Sequence, residues 1–70
     1  MADLDDLIER LRAVSEDLAD RAISVLSDAS RAGETKRPEA ERALTQARRA
    51  VEKAIVVLEK LQGRAANDDE

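Results

Sequence analysis

Seventy residues with a net charge of −4 and no aromatic side chain make one small domain with few core-forming groups: of the 30 apolar residues, 13 are Ala and only 16 are Val, Ile or Leu. The absence of Cys excludes a disulfide, and the absence of both Cys and His excludes the usual ligands of structural zinc. Of the staples that short chains rely on, oligomerisation is the one left.

The first element in chain order is an amphipathic helix over about residues 4–31. Asp3 is a good N-cap, and Asp5, Asp6 and Glu9 place negative charge where the helix dipole favours it. At about 100° per residue, Leu4, Leu7, Ile8, Leu11, Val14, Leu18, Ala22, Val25, Leu26 and Ala29 fall on one face. Ser15 interrupts that face, where its hydroxyl is expected to bond back to a carbonyl one turn earlier. Ile23 lies at the edge of the stripe, and no Gly or Pro breaks residues 3–31.

A loop over residues 32–37 follows. Gly33 suits the left-handed conformation that ends helices, Thr35 is a candidate N-cap for the second helix, and Pro38 is tolerated in a first turn. So short a connection predicts antiparallel neighbours. Helix 2 is predicted over about residues 38–62, with Gly63 as its C-cap. Its stripe is Ala40, Ala43, Leu44, Ala47, Ala50, Val51, Ala54, Ile55, Val57, Leu58 and Leu61, wider than a single seam against helix 1 requires. Val56 falls on the polar side. The domain therefore covers residues 1–63, and residues 64–70 read as a disordered acidic tail.

Charge is distributed unevenly. Residues 1–30 carry eight acids and three bases, residues 31–53 seven bases and four acids, and residues 54–70 four acids and two bases. An acidic first helix beside a basic second one biases orientation within a hairpin or across a dimer, although each exposed ion pair contributes only about 0–1 kcal/mol. Arg outnumbers Lys nine to three, a usage expected of a GC-rich bacterial genome.

Catalytic chemistry has little to work with. There is no His, Cys or Tyr, and no base is placed to activate the hydroxyls of Ser15, Ser24, Ser27, Ser30, Thr35 or Thr45. The acid cluster Asp3, Asp5 and Asp6 reads as helix N-terminal charge, and Asp68, Asp69 and Glu70 as a solvated tail; neither fits a calcium loop. Two glycines far apart make no phosphate loop. No catalytic residue, cofactor, metal or small-molecule substrate is expected.

The expected fold is all-α, an antiparallel two-helix hairpin that completes a four-helix bundle as a homodimer. Leu7, Leu11, Leu18, Leu26, Leu44, Ala47, Val51, Leu58 and Leu61 are its expected core and interface. The expected function is a non-enzymatic protein–protein interaction or structural module, with itself or another helical protein as partner. The alternative is a small nucleic-acid-binding protein using Arg42, Arg48, Arg49 and Lys53. Against that stand the acidic net charge, the interleaved Glu41, Glu52 and Glu59, and the lack of aromatic rings for base stacking. Membrane binding is not expected: helix 1 has an acidic polar face, and no stretch approaches the ~20 apolar residues of a span. The N-terminus lacks the pattern of a secretory leader, so a cytoplasmic location is expected.

Overall fold

The computed structural model describes residues 4–66. Two helices, α1 (Leu4–Arg31) and α2 (Glu39–Ala66), have 28 residues each and pack side by side as an antiparallel hairpin. Each is about 42 Å long at the helical rise per residue. Asp5 and Asp6 occupy the first turn of α1 and Arg31 its last, so both ends match the helix dipole. Asp3, the expected N-cap, lies outside the described residues.

The end of α1 is a Schellman turn built on Gly33. Its φ is +83°, its amide donates to the Ser30 carbonyl at 3.0 Å, and the Glu34 amide donates to the Ala29 carbonyl at 3.0 Å. Orphan carbonyls of the last turn are thereby satisfied, and the chain reverses. At the start of α2 the Pro38 carbonyl accepts from the Arg42 amide at 3.2 Å. Pro38 therefore flanks the first turn, where a missing N–H costs nothing, and Thr35 stays in the loop instead of capping.

Gly63 does not end α2. The helix continues through it to Ala66 without a positive φ. The Arg-Ala-Ala that follows consists of good helix formers, which offset the ~1 kcal/mol that Gly costs inside a helix. Residues 64–66 of the expected tail are thus helical, whereas residues 67–70, with Asp68, Asp69 and Glu70, lie outside the described residues.

The seam has the 4–3 spacing of coiled-coil packing. On α1 the residues withdrawn from solvent are Leu4, Ile8, Leu11, Ser15, Leu18, Ala22, Val25 and Ala29, with Ala19 beside them. On α2 they are Glu41, Leu44, Thr45, Val51, Ala54, Ile55, Leu58 and Gln62. Three cross-seam bonds set the register: Gln62 donates to Asp5, Arg12 to Glu59, and Ser15 Oγ to Glu52 Oε2 at 3.1 Å. In that register the middle of α1 lies level with the middle of α2, and Leu18 lies level with the Ala50 turn.

This seam is too narrow to be a core. Among the described residues only Ile8, Ala22 and Ile55 are buried apolar residues, and two of the five buried residues, Ser15 and Glu41, are polar. The molecule measures 59 × 16 × 10 Å, a single layer of two helices. Its radius of gyration is 16.7 Å, against about 11 Å for a compact domain of this length. Its accessible surface is 5496 Å², against about 4,300 Å² for a compact monomer of this mass. Among the described residues no helix is long and apolar enough to cross a membrane.

Candidate functional site

The two sides of the seam differ in chemistry. On one side an open groove of about 420 Å³ is lined by Arg12, Ser15, Glu16 and Ala19 of α1 and by Arg48, Glu52, Ile55, Val56 and Glu59 of α2. Its charges are largely paired: Arg12 with Glu59, and Arg48 Nε with Glu52 Oε2 at 3.2 Å. A smaller hollow of about 170 Å³ continues it past Ala19, Ile23, Leu26, Thr45 and Arg48. Ile23 and Val56, the two residues outside the sequence stripes, thus sit along this same polar side.

The opposite side is largely apolar. A step of about 100° per residue from the groove-lining positions puts Leu7, Leu11, Val14, Leu18 and Val25 on the other flank of α1, with Arg21 among them. The same step puts Ala40, Ala43, Ala47, Ala50, Ala54, Val57 and Leu61 on the other flank of α2. Because the helices are antiparallel and face each other, these two flanks share one face of the hairpin. That face stays open: Leu7 is 40% exposed, Val14 45%, Val57 55% and Leu61 44%, and Ala40, Ala43, Ala47 and Ala50 are exposed. The α2 row steps by three and four residues along its whole length, as the seam row of a further coiled-coil contact does. Large exposed apolar patches are a common feature of interaction surfaces.

The expected core and interface residues divide accordingly. Leu11, Leu18, Leu44, Val51 and Leu58 are half-buried in the seam, with edges toward the open face. Leu7, Ala47 and Leu61 are exposed on that face and contribute little to the hairpin itself. Leu26, 40% exposed, lines the hollow on the polar side, which Leu18 also reaches from the seam.

The most buried residues repeat at intervals of seven: Ile8, Ser15 and Ala22 on α1, and Glu41 and Ile55 on α2, with Arg48 between them in sequence. Two expectations from sequence are corrected here. Ser15 donates across the seam to Glu52 instead of back to its own helix, because a carboxylate lies opposite it. Glu41, which the sequence interleaves with the basic residues of helix 2 as if on a polar surface, is 5% exposed. Its carboxylate accepts from the Arg37 guanidinium through both Nε and Nη2, the latter at 3.1 Å, and from Thr45 Oγ1 at 2.9 Å. The Arg37 hydrogen bonds hold the Glu41 carboxyl below the usual carboxylate range, against the opposing effect of burial and with help from Thr45. Sequence reasoning missed this position, although the seven-residue spacing to Arg48 and Ile55 would have found it.

The basic row also changes membership. Arg48 belongs to the groove and its pair with Glu52, a quarter-turn or more away from Arg49. Arg42, Arg49 and Lys53 remain together with Lys60 on the outer surface of α2, exposed and without an ion pair among the described residues. The arginines of α1 differ: Arg10, Arg12, Arg21 and Arg31 each pair with a carboxylate. Among the described residues no group of three or more acids could hold a metal ion.

No protein-family model, curated protein or solved structure matches the chain.

Proposed function

We propose that the protein is a non-enzymatic interaction or structural module whose working surface is the open apolar face, and that a second copy covers it to form a four-helix bundle. The observation that carries this reading is a hairpin that has, among the described residues, only three buried apolar residues and yet exposes an apolar row along α2 and the first half of α1 on one face. A specific dimer buries about 800 Å² on each partner, and the surface left over relative to a compact monomer is of that order.

Light scattering behind a sizing column, over a range of concentrations, tests the reading. Detection needs refractive index or far-UV absorbance, since the chain has no Trp or Tyr. A mass of twice 7.7 kDa supports the bundle. A folded monomer overturns self-association and points to a different helical protein. Ala47→Leu sharpens the test. Ala47 is exposed in the hairpin, so the larger side chain is harmless to a monomer but overpacks a bundle by about 1–3 kcal/mol.

One observation favours a second reading, nucleic-acid binding: the unpaired outer row Arg42, Arg49, Lys53 and Lys60 is able to follow a phosphate backbone. Micromolar retardation of duplex DNA or structured RNA, weakening steeply with salt and lost in Arg49→Glu, would favour it over the interaction module.

A further inference from the structure

Given a second copy on the open face, which rests on the reading above, the hairpin can be covered in two ways. With the two-fold axis across the helices, α1 lies on α1 and α2 on α2. With the axis along the helices, α1 of each copy lies on α2 of the other. We infer that the protein adopts the second arrangement, with Asp17 of one copy beside Lys53 of the other on the outer rim.

Charge decides between the two. Asp17 stands at the middle of α1 and Lys53 at the middle of α2, both exposed and both bordering the apolar face. Burying the full length of the face centres the axis on those midpoints. An axis across the helices then brings each of these residues against its own copy, carboxylate on carboxylate and ammonium on ammonium. An axis along the helices preserves level, and the register of the hairpin places Asp17 level with Lys53. The Asp17 carboxylate has capacity for a second partner, since it meets Arg21 through Oδ1 alone. Lys53 has no ion pair among the described residues. Within one hairpin Asp17 and Lys53 lie on opposite outer edges, beyond a Debye length, so they complement each other only across copies.

Side-chain size agrees. The α1 flank is Leu and Val over its first half, with Arg21 and Asp28 continuing the Leu7–Val14 row, and the α2 flank is Ala over most of its length. Laying α1 on α2 puts the large row on the small row at both helix–helix contacts. The other arrangement separates two leucine-lined helices widely and two alanine-lined helices narrowly, which splays the layers.

The test compares dimer dissociation constants by sedimentation equilibrium at low salt, with helicity at 222 nm to verify folding. The proteins are wild type, Asp17→Lys, Lys53→Asp and the double exchange in one chain. Each single variant is expected to raise the dissociation constant roughly tenfold, and the double variant to return it toward wild type. The Arg21 contact is lost equally in Asp17→Lys and in the double variant, so the recovery reports the contact between copies. Were wild type a dimer whose constant is indifferent to both single variants, or whose loss in the singles persists in the double, the orientation would be wrong and the dimer would stand. A wild type monomeric at every concentration removes the dimer and this arrangement together.

Discussion

Ser15 of α1 donates its hydroxyl to Glu52 of α2 at 3.1 Å across the seam, and Glu52 accepts at the same oxygen from Arg48 Nε at 3.2 Å. A buried hydroxyl thus occupies a position that coiled-coil packing normally gives to an aliphatic side chain. Its hydrogen bond offsets the cost of burial, and the half-exposed Glu52 keeps access to solvent. Ser15→Ala should cost about 1 kcal/mol in thermal or urea unfolding. Ser15→Asp should cost about 3 kcal/mol or more, since it buries a second carboxylate against Glu52. Combining it with Glu52→Lys should recover part of that loss. Equal stability of Ser15→Asp and Ser15→Ala would show that the position opens to water.

Glu41 gives a pH dependence with a definite sign. Its carboxyl is held below the ordinary Glu value of about 4.3, chiefly by the Arg37 hydrogen bonds. A depressed folded-state pKa contributes stability that is fully present above the unfolded value and is lost as pH falls through the folded one. The gap in melting temperature between wild type and Glu41→Gln should therefore be constant from pH 7 to about pH 5 and close as pH falls below about 4. A gap that widens toward acid would reverse the assignment. Thr45→Val should narrow the gap at neutral pH, because one of the three hydrogen bonds to the carboxylate is removed.

The two glycines carry opposite predictions. Gly33 holds φ +83° in the Schellman turn, so Gly33→Ala should destabilise by about 1–2 kcal/mol even though nothing lies within 4 Å of the added methyl. Gly63 is inside α2 with open space around it, so Gly63→Ala should stabilise by about 0.5–1 kcal/mol. Melting curves on the two variants check both signs. If Gly63→Ala lowers the melting temperature, α2 ends before residue 63 in solution.

That contrast shows where the sequence was legible. Both glycines look like helix ends because composition marks a breaker without giving its dihedral. Only at Gly33 do a following loop and proline make the left-handed turn necessary. The helices themselves were legible because, Ile23 apart, the large apolar residues of 4–31 lie close to one period. The seam was legible only coarsely. A stripe 120° wide on α1 holds both the contact with α2 and the open flank, and periodicity alone does not say where one stops. The division became visible through Ser15 and Glu41, polar residues whose burial contradicts hydropathy but obeys the seven-residue spacing. Leu26 fits the stripe by angle, yet it borders the polar-side hollow, because its neighbours across the seam there are Glu41 and Thr45 and not a bulky apolar side chain.

Val56 and Val57 give the most direct test of which face works. They are adjacent and similarly exposed, 47% and 55%, so solvation of a single hairpin does not distinguish them. Their surroundings do: Val56 borders the ion-paired groove, whereas Val57 continues the row from Ala40 to Leu61 on the open face. Val57→Lys should remove two valines from a bundle and bring two ammonium groups to its interface, a loss of at least about 2 kcal/mol across both copies. Its dissociation constant should rise by roughly thirtyfold or more. Val56→Lys should leave mass and melting temperature unchanged, because its side chain keeps its water. The reverse result, dissociation by Val56→Lys with Val57→Lys silent, would move the interface to the grooved side, where Ile23 and Leu26 would become its apolar anchors.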